Sequence, residues 1–226
     1  MIGIIGAMQH EVDILVENIE DAKKVSVGSF DFYVGGIGEN DVVLCQCGIG
    51  KVNAAIATTI LINTFECDLI INTGIAGGLK GTASKDIIVA EGLVYYDFDL
   101  RAFGYELGNV PHMPKLFNPH PEDLMKVKSI LTRLGMKYKC GLIGSGDKFV
   151  TSYDVLDEFK DKLLACEMEG AAVAHSAIRL GTRFIILRYI SDVVGEPSQL
   201  GDYNEFEEEM SNRSSKITLE LIRNLE

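Results

Sequence analysis

The chain has no run of basic residues, no apolar stretch long enough to span a membrane, and no Cys or His cluster to accompany its five cysteines. Each absence removes a class of function. Across 226 residues, Lys and Arg total 21 against 33 Asp and Glu, a net charge of −12. That sign repels phosphate backbones and anionic bilayers, so neither nucleic acid nor a membrane surface is an expected partner. A transmembrane helix needs about 20 consecutive apolar residues, and no segment supplies them. The N-terminal "MIGIIGAMQHEV" is apolar but short, has no basic flank and soon meets His10 and Glu11. It reads as a first strand and not as a signal peptide. Cys45, Cys47, Cys67, Cys140 and Cys166 are odd in number and lie in apolar runs. They read as reduced core thiols of a cytoplasmic protein. Cys45 and Cys47 would share one strand face, but without further ligands they make no metal site. No repeat, low-complexity segment or linker divides the chain, so one domain is expected over 1–226.

What is present is an ordinary apolar fraction, 47%, arranged in short aliphatic runs. Strands are expected at 2–6, through a meander over 24–46, at 68–78, 86–97 and 163–169, and at 183–193, with a strand and loop in "KCGLIGSGDKFV". Helical spacing follows the first strand, with Val12, Leu15, Val16 and Ile19. It recurs over 50–65, with Val52, Ala55, Ile56 and Thr59 on one side, and over 121–136, 154–162 and 170–181. A tail helix runs from about 204 with Phe206, Met210, Ile217 and Leu221 apolar. Residues 98–121 form a long connection holding four of the five prolines, the length of a lid or binding loop. Nearly all-aliphatic strands alternating with helices predict an α/β fold with a largely parallel sheet covered on both faces.

In such sheets ligands bind beyond the carboxyl ends of strands. Glu11, Glu169 and Asp192 all fall at expected strand ends, beside the Gly-rich "NTGIAGG". Each has a structural explanation of its own. Glu11 suits a first helical turn, Asp192 a cap, and Glu167 and Glu169 a buried ion pair with Arg188. Three acids converging with a Gly-rich turn favour a site. Other motifs fail: "HEVDI" lacks the second His of a zinc peptidase, and "GIGKVNAA" has neither dinucleotide nor Walker spacing. The latter reads as a tight strand-to-helix turn whose backbone is free to line a pocket. No nucleophile elbow is present, and His175 reads as a helix residue.

"IGIIGAMQHEV", "GIGKVNAA", "INTGIAGGL", "AFGYELGNVP", "SGDKFV", "EMEGAAVAH" and "RYISDV" occur in this order from residue 1 to the last helix. Together they resemble the 5′-methylthioadenosine/S-adenosylhomocysteine nucleosidases of the purine nucleoside phosphorylase/uridine phosphorylase superfamily. "EMEG" and "ISDV" are shared across the superfamily; "GAMQHEV" and "AFGYELGNVP" point to the nucleosidases.

The resemblance implies a three-layer α/β/α fold with a central mixed, largely parallel sheet. It implies no cofactor and a small-molecule nucleoside substrate. Water would cleave the N9–C1′ bond, giving adenine and a 5′-substituted ribose. Asp192 is implied to protonate N7, Glu11 to bind and activate the water, and Glu169 to accept the ribose hydroxyls with Met168 beside the sugar. Adenine is a poor anionic leaving group, which agrees with an acid held protonated near neutral pH.

By the same resemblance, adenine stacks near Phe149 and Val150 reads its edge through the backbone. Gly77 lines the base and sugar, with Ala76, Ser191, Glu167 and Arg188 also in the substrate-binding set. Met8, Ile49 and Tyr203 would line the 5′-alkylthio pocket. Leu100, Phe103, Tyr105 and Pro111 would reach in from the second subunit of a homodimer. Ile75, Tyr96 and Tyr203 depart from the Ser, His and Phe common in the family, and Ile75 makes the floor near the ribose more apolar. Three rivals remain: a phosphorylase of the same superfamily, a hydrolase of 6-amino-6-deoxyfutalosine, and a silent nucleoside-binding protein. The "NTGIAGG" and "GAMQHE" segments carry no Arg to hold phosphate, which favours water as nucleophile.

Overall fold

The computed structural model describes residues 1–225; Glu226 and the side chain of Phe206 lie outside the described residues. Among the described residues, ten strands form one sheet. They are β1 (Ile2–Gly6), β2 (Glu20–Val27), β3 (Phe30–Ile37), β4 (Asn40–Gln46), β5 (Leu69–Asn72), β6 (Ile75–Gly78), β7 (Ile87–Tyr95), β8 (Tyr138–Ser145), β9 (Leu163–Glu167) and β10 (Arg183–Val193). Their order is β2-β3-β4-β1-β5-β10-β6-β9-β8-β7. The meander β2–β3–β4 is antiparallel, whereas β4, β1, β5 and β10 run parallel side by side. β7 also returns to pair antiparallel with β10, Leu187 opposite Val89. The β10, β6, β9, β8 and β7 strands thus close on themselves, and the cavity described below lies where this closed half meets the half formed by β2, β3, β4, β1 and β5.

The alternation of side chains across the pleat sorts the core into two layers. Ile5, Val43, Cys45, Ile70 and Phe184 face one side, under α2 (Lys51–Phe65) and α4 (Gly170–Leu180). Ile4, Val42, Leu44, Ile71 and Ile185 face the other. That side is covered by α1 (Asp13–Glu17), α3 (Pro121–Arg133) and α5 (Gln199–Arg223). The architecture is the expected three-layer α/β/α.

Four expectations need correction. The first helix is short, because a 3-10 turn at Gln9–Glu11 precedes it and Ile19 lies beyond its end. The 68–78 strand breaks at Thr73 and Gly74, where the chain passes Glu11. The last helix begins at Gln199, five residues before the expected start. The α2 face is inverted: Val52 and Ile56 are 69% and 44% exposed, while Ala54, Ala57 and Leu61 are buried. α2 is apolar nearly all round, so its small residues take the side facing the alanine-rich α4, where helix backbones approach closely. The larger aliphatics are left outside.

Candidate active site

Glu11 is held by backbone alone. The 3-10 turn after β1 bends it back over the amides it has just passed. Its Oε2 accepts from Ala7 N–H at 2.7 Å and Met8 N–H at 2.9 Å, and its Oε1 from Ile75 N–H at 3.0 Å. A Cβ at position 74 would overlap Oε1, so Gly74 is required by this approach. The Ser215 hydroxyl of α5 donates to the Glu11 carbonyl from behind. Burial pushes the Glu11 carboxyl above its ordinary value, while the three N–H donors and the nearby Arg188 charge oppose that rise.

β9 ends at Glu167, and the two glutamates of "EMEG" do different work. Glu167 accepts from Ser145 Oγ and from Glu169 N–H and Gly170 N–H at 3.1 and 2.7 Å, so it fastens the first turn of α4. It also forms an ion pair with Arg188, each side chain 2% exposed. Arg188 Nη2 further donates to Asn72 Oδ1 at 2.6 Å and Nη1 to the Leu187 carbonyl at 2.8 Å. The Arg188 guanidinium is engaged by Glu167 and Asn72 and is not among the residues lining the cavity described below. Removing one partner of such a buried pair costs about 3–5 kcal/mol, because the other charge is stranded.

Glu169 begins α4, and its Oε1 accepts from Gly50 N–H at 2.8 Å. The "GIGK" turn thus meets the site through its backbone. Burial first, and then the negative Glu167, raise the Glu169 carboxyl to about 8. Asp192 lies one residue before the end of β10. Its Oδ1 accepts from Ser191 Oγ at 2.5 Å and its Oδ2 from Gln199 Nε2 at 2.9 Å. Burial raises the Asp192 carboxyl, and these two donors oppose the rise.

Glu11, Glu169 and Asp192 face one cavity. Met8, Ile49, Ala76, Gly77, Phe149 and Val150 line it, with Glu167, Met168, Ser191 and Tyr203. Phe149 meets Tyr203 edge-on at 5.1 Å, and the Tyr203 hydroxyl lies 3.7 Å from Met8 Sδ, giving one apolar corner. Leu100, Phe103, Tyr105 and Pro111 are not in this wall; Phe103 is 79% exposed. Two of the departing residues have clear structural work. The Ile75 amide holds Glu11. The buried Tyr96 donates to the Lys148 carbonyl at 2.9 Å and fills the space that a side chain at Gly146 would need, bracing the loop that carries Phe149 and Val150. Gln199, Ser145 and Asn72 were not foreseen. Gln199 sits in "EPSQLGD", which reads as an ordinary polar loop.

Among the described residues, four buried carboxyls surround this cavity, and the one buried cation beside them is already paired. Lys148 at the wall is exposed. Such a site stabilises developing positive charge and offers proton donors and acceptors; it does not attract an anion.

The closed half-sheet and the carboxylates at its strand ends belong to a known class: the chain is a member of the phosphorylase superfamily, whose family model matches residues 1–223. Within it the chain belongs to the 5′-methylthioadenosine/S-adenosylhomocysteine nucleosidases. A nucleosidase of that name from Staphylococcus carnosus is 40% identical over 229 residues, covering 100% of both chains. The structure of the Colwellia psychrerythraea nucleosidase in complex with adenine superposes with a TM-score of 0.93 at 39% identity, covering 99% of this chain and 95% of that one. A Helicobacter pylori futalosine hydrolase has the same TM-score, 0.93, at 29% identity, covering 99% of this chain and 97% of its own.

Proposed function

We propose that this chain hydrolyses the N9–C1′ bond of 5′-methylthioadenosine and S-adenosylhomocysteine, and of 5′-deoxyadenosine, releasing adenine and the 5′-substituted ribose. The observation that carries this reading is the convergence of Glu11, Glu169 and Asp192 on one cavity with an apolar corner. Asp192, whose carboxyl is raised by burial, delivers a proton to N7, so that adenine leaves neutral. As the bond lengthens, the ribose gains oxocarbenium character. Glu169 accepts the ribose hydroxyls with the oxygen that Gly50 does not occupy; with its carboxyl raised to about 8, it favours the cationic transition state in its ionised form, which grows as pH approaches that value. Glu11 orients water towards C1′ and takes its proton. Phe149 and the Val150 backbone hold the base, and Met8, Ile49 and Tyr203 receive the 5′ substituent.

Adenine release from 5′-methylthioadenosine, followed with and without phosphate, tests the reaction. Equal rates and free methylthioribose are expected. A strict requirement for phosphate would make the enzyme a phosphorylase and remove Glu11 from its role. 6-Amino-6-deoxyfutalosine carries the same base and ribose and belongs in the same assay; its preferential cleavage would move the substrate class to that compound. The reaction serves methionine salvage and the recycling of S-adenosylmethionine by-products, in the cytoplasm.

The apolar stripe left outside on α2, with Ile49 and Phe103 nearby in sequence to site segments, supports a homodimer. In it, Leu100, Phe103, Tyr105 and Pro111 of each subunit complete the partner's 5′ pocket. Sedimentation should give a dimer at micromolar concentration, and Ile56→Asp should yield monomers with a raised KM. A wild-type monomer with full activity would overturn this arrangement.

A further inference from the structure

Gln199 lies in the first turn of α5, buried at the Asp192 end of the cavity, and no step above uses it. Its Nε2 donates to the Val150 carbonyl at 2.8 Å and to Asp192 Oδ2 at 2.9 Å, while its Oε1 accepts from Gly195 N–H at 3.0 Å. Two acceptors bridged by one planar NH2 group form a subsite for such a group, one hydrogen to each oxygen. The 6-amino group of adenine has this geometry: one N–H points to the N1 side and the other to the N7 side. A base whose N7 meets Asp192 and whose opposite edge meets Val150 must place its 6-amino nitrogen between the same two oxygens. Gln199 Nε2 and that nitrogen compete for one position.

We propose that the Gln199 carboxamide is a built-in surrogate for the 6-amino group: its NH2 bridges Asp192 and the Val150 carbonyl, and the base displaces it. The inference rests on the roles given to Asp192 and Val150 above. Buried polar groups without partners are rare, and the Gln199 NH2 gives both acceptors a partner within the chain itself. Displacement by the base also makes Gln199 a positioning residue that weakens base binding, because only the fraction of molecules with the amide withdrawn is competent. Its return assists adenine release. The Oε1 anchor is the amide of Gly195, four residues back, so withdrawal is a local rearrangement at the start of α5.

Calorimetric titration of adenine into wild type, Gln199→Ala and Gln199→Met tests this, together with kcat and KM for 5′-methylthioadenosine. Met keeps the volume and lacks the amide. Both variants should bind adenine roughly three- to tenfold more tightly, the worth of one net hydrogen bond. KM should fall in proportion, with no rise in kcat. A strut that holds Asp192 throughout the reaction would do the opposite, weakening adenine binding and lowering kcat; that result, or unchanged affinity, overturns the surrogate. Wild type that binds adenine while the variants gain nothing sinks this inference alone. Wild type that binds no adenine overturns the base assignment as well. If neither variant folds, a crystal structure of the wild-type adenine complex decides: Gln199 Nε2 should have left both oxygens, and its retention on them rejects the proposal.

Discussion

Asp192→Asn should reduce kcat for 5′-methylthioadenosine by about 10²- to 10⁴-fold, the usual worth of a positioned general acid. Asn can still donate a hydrogen bond to N7, but it has no proton to transfer, and adenine would then have to depart as an anion. Binding of the base should survive, so KM or the adenine affinity should move far less than kcat. Asp192 accepts from both Ser191 and Gln199. An amide at 192 can give its oxygen to Gln199 and its NH2 to Ser191, whose hydroxyl accepts as well as donates and can turn its own hydrogen to the Ala76 carbonyl. Both contacts survive, so the variant should lose at most about 1 kcal/mol of stability and its melting temperature should move little. Turnover and adenine titration on one preparation check both parts. Near-normal turnover by a folded variant would remove Asp192 from the acid role.

Glu11→Gln should abolish turnover to a comparable degree while leaving a substrate analogue bound. Its carboxylate accepts three backbone N–H groups, two on Oε2 and one on Oε1. Glutamine keeps the Ala7 and Met8 bonds if its oxygen takes the Oε2 place, but its NH2 then opposes the Ile75 N–H. The variant loses one bond and the charge, not the fold. Water then has no acceptor for its proton, and the ribose loses a neighbouring negative charge in the transition state. Burial raises the wild-type Glu11 carboxyl, so its ionised, active form forms only as pH rises through that elevated value. kcat should therefore fall on the acid side in wild type, and the part of that fall due to Glu11 should be absent from any residual activity of the variant, leaving the part due to Glu169. A variant that binds no analogue would indicate a structural role instead.

The strands were legible because they are aliphatic and short, and the helices because their apolar spacing changes period. β1 and β10 have the expected limits. The inverted face of α2 shows where periodicity stops being informative. When a helix is apolar on most sides, spacing does not choose the buried one; the size of the residues facing α4 does. The closure of β7 onto β10 was likewise not readable, since it depends on the curvature of strands far apart in sequence.

The site divides in the same way. Its acids could be found in the chain itself, because Glu11, Glu169 and Asp192 interrupt apolar surroundings in which an unpaired carboxyl is costly. Their separate tasks could not be assigned from residue type. Glu167 and Glu169 are two positions apart in one motif, yet the first is locked to Arg188 and Ser145 and the second keeps an oxygen for the cavity. Gln199 carries no local signal at all, and becomes meaningful only because the start of α5 lies beside Asp192 and the Val150 carbonyl. Sequence determined the acids and the layers through residue chemistry and short-range period. Tertiary structure decided which acid is neutralised, which stays available and which amide bridges Asp192 and the Val150 carbonyl, because those outcomes depend on distances of a few ångströms between segments that the chain order keeps apart.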